Sequence, residues 1–305
     1  MASYQNNLIL FHRDVELFRE AILFTARRSG FAPALVEKDY YCTVLLNYLY
    51  QQPKTSIVFR GGTCLSKVYA EFNRLSEDID FTLPTSPQAS RAERKKRFQA
   101  IKEHIIDLPK AFPEFRLPEG VKGYSNNTQY TAEVFYESIA DIGEEASKVR
   151  IEVGLRENLL CSPVRIKART LLIDPFMGKP AVSDIYVVAL EKEEAYAEKI
   201  RAALSRQDVE IRDFFDIEYA TKKLRLNLND NRFLKLVIEK LKVPGNYPID
   251  ISSSRKDELK SQTHTRLKPV LRQTDFEQFD LERAFNIVAE IGRKLSTVSA
   301  RGAYS

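Results

Sequence analysis

The chain has 305 residues, 44% of them hydrophobic and 29% charged, so it can bury the core of one large domain or of two ordinary ones. No run approaches 18 apolar residues, and the N-terminus lacks the basic and apolar regions of a signal peptide, so we expect neither a membrane span nor export. A formal charge of +5 permits an anionic partner without indicating one.

The first 50 residues are predicted to be helical. Apolar residues at Val15, Phe18, Ile22 and Phe24 form a stripe, "SGFAP" interrupts it, and "ALVEKDYYCTVLLNYLY" continues with apolar residues at helical spacing. After a loop at 51–55, the short run "SIVFR" has the β-branched and aromatic residues of a strand.

The middle of the chain mixes the two periodicities. Leu65, Val68, Tyr69 and Phe72 have the spacing of one buried helical face, and the basic segment 90–107 is also predicted to be helical. The alternation typical of strands occurs in "IDFTL", "TQYTAEVFYES", "KVRIEVGL", "ARTLLID" and "SDIYVVAL".

From about residue 190 the pattern is helical. The four predicted helices are "EKEEAYAEKIRAALSRQ", "IRDFFDIEYATKKL", "RFLKLVIEKL" and "DLERAFNIVAEIGRKL", and 243–262 is predicted to be mostly loop. The sequence therefore predicts an α/β (α+β) protein of three segments: an N-terminal helical segment (1–50) packed on a mixed core (51–188), and a helical C-terminal domain (189–305).

The three cysteines, Cys42, Cys64 and Cys161, are widely spaced and have no CxxC pairing. Free thiols of a protein in the reducing cytoplasm are the expected state.

Two aspartates stand out on the predicted strand "IDFTL". Side chains alternate along a strand, so Asp78 and Asp80 point to one face while Ile79 and Phe81 anchor the other in the core. Carboxylates this close repel unless a cation lies between them, and Mg²⁺ takes carboxylate and phosphate oxygens. The alternative is two exposed aspartates on an edge strand.

A glycine pair precedes these aspartates by one predicted helix. Gly61 and Gly62 let backbone N–H groups approach an anion, and Thr63 is placed to cap the helix and reach a phosphate. Lys67, off the apolar stripe, is expected to be free to meet a phosphate. The alternative is an ordinary tight turn before a capped helix, and the segment is not a P-loop, because GxxxxGK[ST] is absent.

Three further charged residues are candidates. Glu152 alternates with apolar neighbours on a predicted strand and would supply a third carboxylate. Lys199 lies at the edge of a helical stripe, suited to reach a cleft, and Asp213 shares a helix face with Asp216. Taken singly, Glu152 also fits an ordinary half-exposed strand position, and Lys199 and Asp213 fit a helix salt bridge better than a site.

Two basic segments, "RAERKKR" (91–97) and "TKKLR" (221–225), fit either solvated helix faces or contacts to a nucleic-acid backbone.

Taken in order, "EKDYYCTVLL", "FRGGTCLSK", "RLSEDIDF", "AEKIRA" and "RDFFD" give the chain a resemblance to the AbiEii/AbiGii family of nucleotidyltransferase toxins, to which the MenT toxins of type IV toxin–antitoxin systems are related. These motifs span residues 37 to 216. Cys64 departs from the small or apolar residues usual after the glycine motif.

The resemblance implies a DNA polymerase β-like nucleotidyltransferase core with a helical C-terminal region. It implies an enzyme that uses Mg²⁺ or Mn²⁺ to transfer a nucleotide from an NTP to an acceptor, with the tRNA 3′ end the foremost candidate. A cognate antitoxin encoded nearby is implied too. By motif match, Gly61, Gly62 and Thr63 belong to the glycine motif, Asp78 and Asp80 bind metal, and Lys199 and Asp213 belong to the later motifs, with Lys199 sharing a cleft with the aspartates.

Two alternatives stay open at this point. One is the same chemistry on a protein hydroxyl or a small molecule such as an antibiotic. The other is a nucleotide-binding regulatory protein without catalysis. The sequence identifies neither the base used nor the oligomeric state.

Overall fold

A computed structural model of the chain describes residues 8–51, 56–140, 147–183 and 185–302, the last six of these by their backbone alone. Residues 52–55 of the predicted loop lie outside that part. The chain divides into two compact units, one of Met1–Leu159 with Pro163–Ala189, the other of Leu160–Ser162 with Leu190–Ser305. Within the described residues, no helix is long and apolar enough to cross a membrane.

The first unit begins with helices, as the sequence predicts. Their bounds, together with those of three helices later in the same unit, are α1 (Val15–Ser29), α2 (Pro33–Tyr50), α3 (Gly61–Cys64), α4 (Arg91–Ile106) and α5 (Leu108–Ala111). Asp14 caps α1 by accepting a hydrogen bond from the Leu17 amide, and Gly30 ends it in the left-handed conformation. Helix α2 is buried on nearly all sides, and besides its apolar residues it buries Glu37, Asp39 and Thr43.

The first unit also contains one mixed sheet of seven strands in the order β3-β4-β5-β2-β1-β7-β6. The strands are β1 (Val58–Arg60), β2 (Asp78–Thr82), β3 (Val121–Tyr124), β4 (Gln129–Tyr136), β5 (Ser147–Gly154), β6 (Val164–Ala168) and β7 (Ile185–Ala189). Strand β2 lies between β1, to which it is antiparallel, and β5, to which it is parallel. The predicted α/β class is confirmed.

One face of the sheet is apolar and the other is polar. On β2, Ile79 and Phe81 are completely buried, and Ile151 and Val153 on β5 are their register partners and equally buried. The residues that alternate with them, Asp78, Asp80, Arg150 and Glu152, are exposed or half-buried. Because each buried side chain releases apolar surface from water, this face fixes the strand register and thereby the position of the polar residues between them.

The second unit is helical throughout its described residues. Its helices are α6 (Lys192–Ser205), α7 (Ile211–Lys222), α8 (Asn231–Leu241), α9 (Ser253–Gln262), α10 (Gln273–Gln278) and α11 (Leu281–Gly302). Helix α6 packs against both α7 and α8, and α11 packs against α7. Buried Lys240 on α8 pairs with buried Glu194 on α6, whose carboxylate also accepts hydrogen bonds from the Leu160 and Cys161 amides.

Three predicted elements are wrong. The strand expected in "ARTLLID" (168–174) is observed only at its first residue, because β6 covers Val164–Ala168. The loop expected at 243–262 contains helix α9, which Ser252 caps through the Arg255 amide. The helical face that includes Phe72 is interrupted: the helix after α3 ends at Tyr69, and Phe72 is buried from a bend with φ +58°.

Candidate functional site

Strand β2 places the two aspartates as the alternation predicts. Asp78 is exposed and Asp80 half-buried, both on the polar face, while Ile79 and Phe81 hold the strand in the core. Asp80 pairs in register with Arg60 of β1 on one side and with Glu152 of β5 on the other. The anchoring role expected of Ile79 and Phe81 is confirmed.

The glycine turn lies directly against Asp80. Gly61 has φ +76°, a conformation that favours glycine, and a Cβ atom built there would lie only 2.2 Å from the Asp80 Oδ2 atom. A Cβ atom on Gly62 would lie 2.4 Å from an Arg74 guanidinium nitrogen. Gly61 is therefore required both by its φ and by the Asp80 contact, whereas a side chain at Gly62 would displace the Arg74 guanidinium from the turn.

Thr63 does not cap the helix as expected. Helix α3 begins at Gly61, with Arg60 at the capping position and no side-chain cap, so Thr63 lies inside the helix. Its hydroxyl instead donates a hydrogen bond to the Asp78 carbonyl. This bond ties the glycine turn to the start of β2, so the two sequence motifs are directly connected in the structure.

The expectation that Lys67 is free to meet a phosphate is wrong. Its side chain is completely buried, and its Nζ lies 2.7 Å from the Asp39 carboxylate and 2.8 Å from the Thr43 hydroxyl of α2. The helix following α3 turns Lys67 towards α2, where a buried cation needs a carboxylate partner. The motif "EKDYYC" thus supplies the counterion of the motif "GGTCLSK".

Glu152 lies next to Asp80 on the polar face, but two arginines hold its carboxylate. One Glu152 oxygen is 3.7 Å from Arg60, and the other is hydrogen-bonded to Arg150. Burial lowers the pKa of Arg150, but its hydrogen bond to Glu152 and the charges of Glu152, Asp78 and Asp80 outweigh that effect and raise it. Arg150 is thus hydrogen-bonded to Glu152, and the charges of the two aspartates favour its charged form.

Sequence reasoning missed three arginines of this site: Arg60, Arg74 and Arg150. The signals for them are positional. Arg60 immediately precedes the glycine pair, Arg74 precedes the aspartates in "RLSEDIDF", and Arg150 is two residues before Glu152, hence on the same face of β5. A search for carboxylates and glycines passes over them, because arginine on a strand is usually a solvent-exposed residue.

The donor set of β2 fits a divalent cation. Two carboxylates at alternating strand positions match what Mg²⁺ takes from a protein when substrate phosphates complete its coordination. Across the described residues, no three His, Cys, Asp or Glu side chains converge closely enough to hold a metal ion. Glu152, turned towards the arginines, is therefore not gathered with the aspartates, and its role as a third ligand stays a prediction.

The second unit brings together the other predicted residues. Lys199 of α6 lies 2.6 Å from Asp213 and 3.0 Å from Asp216, both on α7, so these aspartates do share a helix face. Burial by itself would raise the pKa of the Asp213 carboxyl. The positive charges of Lys199 and Arg206 together outweigh burial, so this pKa lies below its usual range. That Lys199 shares a cleft with Asp78 and Asp80 stays a prediction.

The glycine turn and the paired aspartates of the mixed sheet form a candidate site for nucleotidyl transfer, and the comparison with known families identifies the class of protein as a nucleotidyltransferase. The model of the family described as "Nucleotidyl transferase AbiEii toxin, Type IV TA system" matches residues 45–289. The chain belongs to this family, since the match covers more than half of its length. Membership implies a partner antitoxin.

Two solved structures from Helicobacter pylori resemble this chain at 17% identity and a TM-score of 0.48. One is the structure of JHP933, and the match covers 90% of this chain and 98% of the JHP933 chain. The other is the structure of a candidate nucleotidyltransferase, and the match covers 87% of this chain and 97% of that chain. No curated protein matches the sequence.

Proposed function

We propose that this toxin transfers a nucleoside monophosphate from an NTP to the 3′ end of an RNA, most specifically a tRNA, in a reaction that depends on Mg²⁺ or Mn²⁺. The observation that carries the proposal is the contact between the glycine turn and the aspartates. Because Gly61 lies against Asp80, phosphates over the turn come within reach of a cation held by Asp78 and Asp80.

The proposed reaction is a displacement at phosphorus. The oxygen of the acceptor hydroxyl forms a bond to the α-phosphorus of the NTP, and the bond from that phosphorus to the oxygen bridging to the β-phosphate breaks. Pyrophosphate leaves with the electron pair, and the hydroxyl proton is lost to solvent. A bound divalent cation would lower the pKa of the attacking hydroxyl and offset the charge of the leaving group.

The chain's own residues orient the reactants. Asp78 and Asp80 would hold the cation, while the backbone of Gly61 and Gly62 would cradle the phosphates, aided by the Arg74 guanidinium that packs on the turn. Thr63 fixes the turn relative to β2 and so keeps the phosphates in register with the carboxylates. Lys199 is the proposed neutralising charge for the β- and γ-phosphates.

The RNA backbone requires a basic surface, and helix α4 offers one. Its Arg91, Lys95, Lys96 and Arg97 side chains are exposed. The segment 221–225 supplies exposed Lys222, Lys223 and Arg225 in the second unit. Because phosphate contacts release counterions, binding through these residues would weaken steeply with salt.

The test is transfer of a labelled NTP to total tRNA. We expect the wild-type protein to label RNA in the presence of Mg²⁺ and lose that activity with a chelator. Asp80→Asn should reduce the rate by at least about a hundredfold, because it removes a cation ligand without changing the shape packed against Gly61. Asp107→Asn, at an exposed carboxylate of the same unit, is the matched control.

The outcomes separate the alternatives. Label on protein or on a small molecule, with none on RNA, would show that the acceptor assignment is wrong. NTP binding without transfer to any acceptor would contradict the catalytic proposal as a whole.

A further inference from the structure

A polar pocket of about 480 Å³ opens on the sheet of the first unit, and of the residues discussed in the candidate site only Arg150 lines it. Strands β3, β4 and β5 supply most of its lining, including Lys122, Tyr124, Gln129, Thr131, Glu133 and Arg150. Its volume is in the range of pockets that hold a small organic ligand or one nucleotide of a longer chain.

The pocket lies on the same face of the sheet as the catalytic aspartates. Strand register forms one continuous row, in which Lys122 pairs with Thr131, Thr131 with Glu152, and Glu152 with Asp80. Neighbouring strands are about 4.8 Å apart, so β4 lies about 10 Å from β2. Arg150 belongs to both places, because it lines the pocket and is the register partner of Asp78.

The position of the pocket relative to the glycine turn decides which reactant it serves. The turn follows β1, on one side of β2, whereas the pocket lies beyond β5 on the other side. In a displacement at phosphorus, the attacking and leaving oxygens are roughly in line on opposite sides of the phosphorus. If pyrophosphate leaves over the glycine turn, the attacking hydroxyl comes from the side of β5, where the pocket is.

We propose, on the basis of the proposed function, that this pocket binds the acceptor: it holds the 3′-terminal nucleoside of a single-stranded RNA end, with the ring of Tyr124 stacked on the base. Arg150 is a positioning residue at the boundary between this nucleoside and the aspartates. The incoming NTP, with its phosphates on the glycine turn, occupies the opposite side of β2.

The chemistry of the lining fits a nucleoside better than a chain of phosphates. Two cations, Lys122 and Arg150, are matched by two acids, Glu119 and Glu133, so the pocket as a whole is close to neutral. Glu119 is paired with Lys122. Uncharged hydrogen-bonding groups and a half-exposed aromatic ring are what base edges, ribose hydroxyls and base stacking require.

The next phosphates of the RNA have a basic surface available. The turn between β3 and β4 contacts the first residue of α4, since the Asn127 amide donates a 3.5 Å hydrogen bond to the Arg91 carbonyl. Helix α4 packs on the apolar face of the sheet, where its Phe98 ring stacks on Tyr130, so this helix and its exposed cations lie across the sheet from the pocket. An RNA end whose terminal nucleoside occupies the neutral pocket would reach the basic helix by passing around the turn between β3 and β4.

The test compares two tyrosines of similar exposure on this sheet, Tyr124 in the pocket (47%) and Tyr186 outside it (54%). With total tRNA as acceptor, Tyr124→Ala should raise the KM for RNA about tenfold or more, as expected for loss of a stacked base, and leave the KM for NTP unchanged. Tyr124→Phe should restore the wild-type value, and Tyr186→Ala should have no effect.

A second measurement does not depend on turnover. A short RNA that carries a 3′-terminal 4-thiouridine is irradiated with the wild-type protein, and we expect its crosslink within 119–133. If wild-type transfer to RNA is normal but Tyr124→Ala behaves like Tyr186→Ala, or the crosslink lies elsewhere, the pocket assignment is overturned alone. If the wild-type protein labels no RNA at all, the proposed function fails first, and this assignment fails with it.

Discussion

At the scale of single residues, Gly61 is the position where backbone conformation and site geometry meet. Its φ of +76° and its contact with Asp80 are two separate demands for a residue without a Cβ atom. A side chain at this position would be strained, and it would push the Asp80 carboxylate away from its place beside Asp78 on the polar face of β2. Gly61 is thus tied to the chemistry as well as to the turn.

Gly61→Ala is expected to lose both stability and transfer activity. The matched control is Gly178→Ala, because Gly178 also has a positive φ, +63°, but nothing lies within 4 Å of its added Cβ atom. The control should cost about 1–2 kcal/mol from the left-handed conformation alone and retain activity. Denaturant unfolding and transfer rates measure the two effects, and equal losses in both variants would contradict the role of the Asp80 contact.

Lys67 belongs to the glycine motif, but its buried ion pair with Asp39 assigns it a role in stability. Lys67→Met leaves the Asp39 carboxylate buried without its cation, so the free energy of unfolding should fall by about 3–5 kcal/mol. Adding Asp39→Leu should recover part of that loss, because the double variant buries no unpaired charge. The KM for NTP, measured below the unfolding transition, should be unchanged in both variants; a raised KM at full stability would instead indicate a phosphate contact.

At the scale of elements, helices α6 and α7 are joined by the ion pairs of Lys199. Its Nζ contacts two carboxylates that are only 4% and 2% exposed, and Arg206 provides a further partner for Asp213. The positions "AEKIRA" and "RDFFD" in the sequence therefore meet across a helix interface. Any role of Lys199 towards phosphates starts from a side chain already fixed by two aspartates.

Lys199→Met should destabilise the protein by about 3–5 kcal/mol, because two buried carboxylates lose their shared cation. Lys294→Met, at an exposed i,i+4 pair with Glu290 on α11, is the control and should change stability by less than about 0.5 kcal/mol. Thermal and denaturant unfolding measure both. A loss as small as that of the control would show that the pairing contributes little.

The Lys199–Asp213 pair between α6 and α7 makes the stability of the protein depend on pH. The pKa of Asp213 is lowered in the folded protein, so its contribution to stability is present above the unfolded pKa of about 3.8 and is lost as the pH falls through the folded value. Asp213→Asn should be less stable at neutral pH and should lose less stability between about pH 5 and about pH 3 than the wild type. Parallel curves in urea titrations would contradict the assignment.

At the scale of the whole molecule, the charge distribution matters more than the net charge. The formal charge of +5 is modest, yet α4 concentrates exposed cations on one element, which begins at the turn between β3 and β4. Such a helix attracts the RNA backbone regardless of sequence, while the pocket recognises the end of the chain.

Replacing Lys95, Lys96 and Arg97 by Gln should weaken RNA binding and lower the slope of log K against log salt by up to about 2, since each single-strand phosphate contact contributes about 0.7. The comparison variant removes three charges at Lys222, Lys223 and Arg225. Fluorescence anisotropy across a salt series measures both. A larger slope change in the comparison variant would place the main backbone contact on the second unit.

The sequence alone determined the parts whose signal is local. Period-2 alternation located the strand of Asp78 and Asp80 and the faces of its residues, and the order of five motifs identified the family. One face of this strand must be buried, and a shift by one residue would bury the two aspartates instead of Ile79 and Phe81. The orientation of the aspartates therefore follows from the sequence alone.

The tertiary structure decided which charges are partners. The residues Lys67 and Asp39 are 28 positions apart, and Arg150 is 70 positions from Asp80, so no periodicity connects them. Lys67 is a buried structural cation because α2 covers it, and Arg150 joins the aspartates because β5 pairs with β2. A side chain's charge is visible in the sequence, but its counterion is fixed only when the chain packs, because Coulomb interactions depend on distance in space and on burial.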